Sequence, residues 1–330
     1  MKNGNSRFDF YLNSLQVQFD NASKQKNPAL WLYQENVRTP LFMLEGLSKL
    51  YAGLHNKKKF SKLKEQFKIL EDILGAIDYY DSFAKEFATN KKIPAAITSY
   101  LQAQTREKIQ SLNEVLIEKG WLGDRNKRMI KIRSILNEVD WKDDKKEIAE
   151  IDEFYGSAIY DIVEFANKRK FKFSNVEADV HELRRKLRWL SIYPQALRGC
   201  VQLAKGPRSP RHLKKYLVPA ITGSPFNIMP DAGNNRHFLM LEKNYFYSLS
   251  WMIAELGKLK DSGLRLVAIK EALMETAGTR EAAAYRKALS LAGKDQLSLK
   301  TILDKSSAIC KTYFGENNLE HLVIGTAVVS

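Results

Sequence analysis

Apolar residues recur at helical spacing along most of the chain. From a helix start at Asn27-Pro28, one stripe runs through Leu30, Val37, Leu41, Leu44 and Leu47, with Pro40 placed to kink or restart the helix. A second segment, Phe60 to Phe87, holds Leu63, Phe67, Leu70, Leu74 and Ile77 on one face. Pro94 opens a third, through Ile97, Leu101, Ile109, Leu112 and Leu116, and Gly120 closes it. A short basic helix is predicted over Arg125 to Val139 and a longer one over Lys145 to Lys168. The next starts near Ser174, an N-cap with Glu177 three residues on, and buries Val180, Leu183, Leu187 and Leu190. Later helices are expected at His237 to Leu256, Leu264 to Thr276, Arg280 to Leu291 and Leu299 to Tyr313. No run alternates with period two, and the apolar Leu322 to Val329 reads as a buried tail in preference to a terminal strand. The class is all-α, with bundled helices.

The stretch from Lys205 to Arg236 breaks this pattern. It holds five of the nine prolines (Pro207, Pro210, Pro219, Pro225 and Pro230), which predicts a long ordered loop with a short helix near Arg211 to Leu217. Elsewhere breakers are few, and nine prolines and seventeen glycines in 330 residues argue against a β-rich or disordered design. Charge changes the picture more. Against 38 Asp and Glu stand 53 Lys and Arg, a balance of +15 that attracts nucleic acid, an acidic membrane or another polyanion. Two cysteines, Cys200 and Cys310, provide neither a disulfide framework nor a metal quartet. Met1 to Phe10 is polar without the apolar core of a signal peptide, and no segment approaches eighteen uninterrupted apolar residues. A soluble, cytoplasmic protein without a membrane span is expected.

The most informative stretch is Val180 to Trp189. Beside its apolar stripe runs a second one of His181, Arg184, Arg185 and Arg188. Cations bordering a core are costly unless something pairs with them, so the helix poses the question of which anion sits there. The chain also aligns with itself. At an offset of 146 Arg38 meets Arg184, Val37 meets Leu183, Leu41 meets Leu187 and Leu44 meets Leu190. Each of these helices precedes one expected to end in Leu-Gly: Leu74-Gly75-Ala76-Ile77-Asp78 and Leu256-Gly257-Lys258-Leu259-Lys260-Asp261. That second offset is 182, larger by 36, and the proline-rich stretch accounts for the excess. The chain reads as two related halves, residues 28–140 and 145–330, the second with an insertion at 205–236.

A helix reading His-x-x-Arg-x-x-x-Arg, followed by Leu-Gly-x-x-(basic)-Asp in a duplicated helical chain, resembles the CHAD family of α-helical polyphosphate-binding domains. His181, Arg184 and Arg188 match the family's basic helix, and Leu256, Gly257, Lys260 and Asp261 match the turn that follows. The resemblance implies one CHAD-like domain over residues 1–330, of two four-helix halves about a pseudo-two-fold axis. It further implies that basic side chains from both halves line one anion-binding surface. This chain departs from the pattern in its first half. Glu35 stands opposite His181, Phe42 opposite Arg188 and Asp78 where a basic residue is expected, and Glu45 adds a negative charge.

Polyphosphate carries about one charge per phosphate, so its binder needs closely spaced cations, and arginine supplies a donor fork matched to phosphate oxygens. His181, Arg184 and Arg188 are the expected primary ligands, with Arg185, Lys258, Lys260 and Arg38 as further contributors. Protonation of His181 would strengthen such binding as pH falls. The competing reading pairs Arg184 and Arg188 with acids of neighbouring helices, leaving a structural or interaction protein without an anion site. A third is nonspecific nucleic-acid binding through the basic surface. Lys57 to Lys59, Arg125 to Arg133, Lys168 to Lys172 and Arg208 to Lys215 are dense in cations but read as solvated ends and loops. Arg208, Arg211, Lys214 and Lys215 could instead close over an anion as a lid. No phosphate-loop, His-Glu-x-x-His or nucleophile-elbow pattern is present, so neither catalysis nor a cofactor is expected.

Overall fold

The computed structural model describes residues 3–123, 126–206 and 210–328. Met1, Arg125, Pro207, Arg208 and Val329, used in the readings above, lie outside the described residues. The class is all-α: twelve α-helices among the described residues, with one small sheet. They are α1 (Asn3–Ala22), α2 (Pro28–Gln34), α3 (Arg38–Leu54), α4 (Lys57–Ala88), α5 (Ala95–Glu118) and α6 (Lys127–Asn137), then α7 (Asp144–Lys168) and α8 (Glu182–Ala196). After them come α9 (Pro219–Thr222), α10 (Lys243–Ala277), α11 (Glu281–Ala292) and α12 (Leu299–Gly315).

Local chemistry accounts for most boundaries. The Asn27 side chain accepts from the Leu30 amide to start α2, and Pro40 sits in the first turn of α3, so the proline restarts the helix instead of kinking it. Asp143 caps α7 in the same way, accepting from the Lys146 amide at 3.0 Å. The start of the His181 segment differs from expectation. Its cap is Asn175, which accepts from the amides of Glu177 and Ala178, and Val176–His181 form a π turn before α8 begins. Asp179 holds that turn, accepting from the Ser174 and Asn175 amides and from Arg169. The turn packs so tightly on α10 that a Cβ at Gly263 would lie 3.0 Å from Val176.

Other expectations need correction. α1 was not anticipated, yet Phe8, Leu12, Leu15 and Phe19 form a helical stripe that is wholly buried. His237–Glu242 is strand β2, not helix, and α10 runs unbroken through the rest of that expected helix and the one expected at Leu264 to Thr276. Strand β1 (Val201–Ala204) pairs parallel with β2, and β2 pairs antiparallel with β3 (Val323–Val328), so the C-terminal tail is an edge strand with alternate residues exposed. The predicted 205–236 insertion is therefore the crossover joining two parallel strands. It carries a 3-10 turn at Arg211–Lys215 as well as α9. A glycine is required just before β1: Gly199 has φ +92°, and a Cβ there would lie 2.0 Å from the Asp231 carbonyl oxygen.

One apolar core runs from Phe8 through Leu183 and Leu187 to Leu322, and a smaller one joins the C-terminal halves of α4 and α10 to α5 and α11. No helix among the described residues is long and apolar enough to cross a membrane. Inside the main core lies one ion pair. Arg7 on α1 donates to Glu147 on α7 at 2.5 Å and to Tyr51 of α3 at 2.7 Å, and the Tyr51 hydroxyl donates to the other Glu147 oxygen at 2.8 Å. Arg7 is 4% exposed and Glu147 1%, so neither charge can find water if its partner is lost. Replacement of Arg7 by methionine should cost about 3–5 kcal/mol in urea denaturation, and adding Glu147→Leu should recover part of it. A single variant as stable as wild type would contradict this.

Candidate anion-binding cleft

Helices α3 and α8 lie side by side because α3 has no side chain where α8 comes closest. A Cβ on Gly46 would sit 3.2 Å from the Trp189 ring and 3.3 Å from Ile192. From this pair each arginine reaches across the long helix that follows. Arg38 lies over Gly75 of α4 and Arg184 over Gly257 of α10; in both cases an added Cβ would be 3.1 Å from the guanidinium. The Leu-Gly motifs are therefore not helix ends or turns. Each lies inside a helix of 32 or 35 residues, where Leu74 and Leu256 are buried and the glycine leaves a flat seat for an arginine. A glycine inside a helix costs about 1 kcal/mol, which helices of this length absorb.

The two arginines are neutralised very differently. Arg38 donates through Nε and Nη2 to Glu71 at 3.0 and 2.5 Å, and through Nη1 to Asp78 at 3.2 Å. At the 182-residue offset, Glu71 and Asp78 correspond to Ile253 and Lys260. Arg184 accordingly has no carboxylate within 4 Å among the described residues, and its Nε donates to the Ile253 carbonyl at 3.2 Å. Arg188 also lacks a carboxylate within that distance; its guanidinium lies 4.4 Å from the centre of the Phe42 ring. Burial lowers the pKa of both groups, opposed by Asp261 for Arg184. For Arg188 the neighbouring Arg184 and Arg38 lower it further, while Glu71 opposes. Both remain charged at neutral pH. Two half-buried guanidiniums thus stand together with donors to spare.

They open into a cleft of about 930 Å³. Arg38, His181, Arg184, Arg185, Arg188 and Lys260 all line it, so the fold gathers six of the seven predicted residues. His181 Nδ1 meets Glu177 at 2.7 Å, and that hydrogen bond holds the Glu177 carboxyl below its ordinary pKa. Lys260 pairs with Asp261 at 2.7 Å, and Arg185, 54% exposed, pairs with Glu182 at 2.5 Å. Lys258 is the exception: it does not line the cleft, is 72% exposed, and pairs with Glu255. One position past the seat glycine, it points away from Arg184. The described cations of the insertion do not form a lid over the cleft either, and Arg208 lies outside the described residues. Arg211, Lys214 and Lys215 are absent from its walls, and Lys215 is bound to Glu316.

The opposite wall is acidic. Helix α4 supplies Glu71, Asp72, Asp78 and Glu86, and the whole lining holds six Lys or Arg against seven Asp or Glu. Basic side chains from residues 28–140 and from residues 145–330 both line the cleft, but unequally: among the described residues the former supply one lining cation, Arg38, already bonded to two carboxylates. At the far end α4 and α10 cross antiparallel, since Tyr80 pairs with Glu271 while Glu86 pairs with Arg265. Tyr80 and Tyr100 both donate to Glu271 Oε1, at 2.9 and 2.8 Å. Burial, with help from Glu271, raises the pKa of both phenols, so they stay protonated as donors. Tyr79, Phe83 and Leu264 supply an apolar surface beside this crossing. These residues were not among the predicted ones. Their signal in the sequence was the acidic pair Glu71 and Asp78, seven residues apart, where the second half has Ile253 and Lys260. Among the described residues no group of three His, Cys, Asp or Glu is disposed to hold a metal. The chain matches no family model, no curated protein and no solved structure.

Behind Phe42, Glu45 is buried in a side groove that Lys49, Lys64, Lys68 and Arg188 also line. Burial, reinforced by Glu71, pushes its carboxyl up from 4.5 to about 7, with Lys68 acting against the shift. A raised folded-state value means that the folded chain binds the extra proton between these limits. The associated stability is present below about pH 4.5 and is lost as pH rises through 7. Compared with wild type, Glu45→Gln should gain up to about 3 kcal/mol of relative stability between pH 4 and pH 8. Denaturation midpoints at the two pH values, with a difference that does not move, would refute this origin.

Proposed function

We propose that this chain is a CHAD-like, non-catalytic binder of phosphate-type polyanions, inorganic polyphosphate among them. The observation that carries the reading is the pair Arg184 and Arg188, charged, half-buried and, among the described residues, without a carboxylate within 4 Å. Guanidiniums so placed keep most of their donor capacity, and a phosphate oxygen is a strong acceptor for it. Lys260 and His181 stand on the same wall to extend the contact. The proposal includes two related halves about a pseudo-two-fold axis, supported by the repeated seating of an arginine on a Leu-Gly glycine. A cytoplasmic setting belongs to the same reading, in keeping with two free, buried thiols at Cys200 and Cys310.

One observation favours a second reading, in which the scaffold persists as a structural or interaction protein. Arg38, the first-half counterpart of Arg184, is neutralised by Glu71 and Asp78. Titration of labelled long-chain polyphosphate at two salt concentrations separates the two. Wild type should bind below micromolar, and Arg184→Ala/Arg188→Ala should weaken binding by roughly 100-fold or more, the loss of two charge-assisted contacts. Weak binding that the double substitution leaves intact would overturn the proposal. If that residual binding also fell steeply with salt and extended to single-stranded DNA, the bulk surface charge would be its source.

A further inference from the structure

Only part of the cleft suits a purely anionic ligand. The cations Arg184, Arg188 and Lys260 occupy one side; the remainder offers aromatic surface and acceptors. Leu264 is seven residues beyond Gly257, and Tyr79 four beyond Gly75. Those steps place the apolar surface about 10 Å and about 6 Å along the two helices from the arginine seats. Tyr79 stands edge-on to Phe83, with ring centres 5.2 Å apart. Next to them is Glu271. Both tyrosine hydroxyls that reach it use the same oxygen, Oε1, which leaves Oε2 without a hydrogen-bond partner among the described residues, and Glu271 lines the cleft. A polyphosphate chain extended along the cleft would meet Asp78, Glu86 and Glu271, all of its own charge. A molecule with phosphates at one end and a flat ring bearing an N–H donor at the other meets complementary groups throughout.

We infer that the cleft takes a nucleoside polyphosphate, its phosphates on Arg184, Arg188 and Lys260, its base against Tyr79, Phe83 and Leu264, and an exocyclic amine donating to Glu271 Oε2. Phosphate supplies the charge, stacking and one directed hydrogen bond supply the selectivity, and a cleft of about 930 Å³ accommodates such a ligand. The inference rests on the reading that the basic helix holds phosphate, so its test must be able to fail separately.

Calorimetric titration of the full chain with ATP, inorganic tripolyphosphate and ITP, which lacks the exocyclic amine, does so. ATP should bind at least tenfold more tightly than tripolyphosphate and more tightly than ITP. Glu271→Gln should bring the ATP and ITP affinities together, and Tyr79→Leu should bring the ratio of ATP to tripolyphosphate affinity towards one. Should tripolyphosphate bind as tightly as ATP in the wild type, the nucleoside inference is overturned and the phosphate reading stands. Should none of the three bind, both fall. A preference for ATP that Glu271→Gln and Tyr79→Leu leave intact would also overturn this placement of the base.

Discussion

The approach of α3 to α8 at Gly46 is the constraint on which the cleft depends. With no side chain there, Trp189 and Ile192 press against the α3 backbone, and the two helices hold their arginines at fixed positions. Each arginine then lies on a flat place on the next long helix, where an added Cβ would crowd the guanidinium at 3.1 Å. Gly75 and Gly257 supply those places. Three glycines, one in α3 and two under arginines, thus set where α4 and α10 stand relative to the central pair. The apolar stripes of the same helices close the core behind them, with Leu183, Leu187 and Leu190 buried. Helix π turn and α10 meet over a fourth, Gly263.

The two arginine seats differ electrostatically. Beneath Arg38, the carboxylates of Glu71 and Asp78 complete an internal ion-pair network, and the arginine's donors are largely spent. Beneath Arg184, a backbone carbonyl and a lysine replace them. Half-burial without a counter-charge is costly for a cation, and where two such groups stand side by side, with no carboxylate within 4 Å among the described residues, an anion would offset the most. Arg188 illustrates the point: it faces the Phe42 ring, its pKa is lowered first by burial and then by Arg184 and Arg38. Phe42 occupies the position that the repeat aligns with Arg188, so an aromatic face meets the cation where a second arginine would have repelled it.

Much of this was legible in the sequence, and what was not has physical causes. Long helices announced themselves wherever apolar residues kept a period of 3.6, as in α4, α5 and α7. Strand β2 did not, because His237–Glu242 is buried on both faces and a short apolar run of that kind fits a helix equally well. β1 is four residues long, too short for a period to show. The π turn was hidden for a different reason: Asp179 gathers the Ser174 and Asn175 amides together with Arg169, a set of bonds decided by tertiary placement. Four site residues, His181, Arg184, Arg185 and Arg188, could be picked out because helical spacing is a property of one segment, whereas Arg38 and Lys260 came from the internal alignment and the resemblance. The acidic wall of α4 could not be assigned to the same cleft, since its approach depends on how α4 crosses α10.

Net charge was the poorest guide. The chain carries +15, yet the cleft lining holds more Asp and Glu than Lys and Arg. Most of the excess lies on exposed surfaces, where Lys57, Lys58, Lys119 and Lys214 face solvent and ions screen them. A long-range field of that sort hastens encounter with any polyanion but distinguishes poorly among them. Selectivity has to come from groups left with bonding capacity at close range, and among the described residues these include Arg184 and Arg188, which have no carboxylate within 4 Å, and Glu271 Oε2. They come from two elements, α8 and α10, and differ in sign. A ligand that satisfies all three must carry acceptors at one end and a donor at the other, which no run of identical phosphates does.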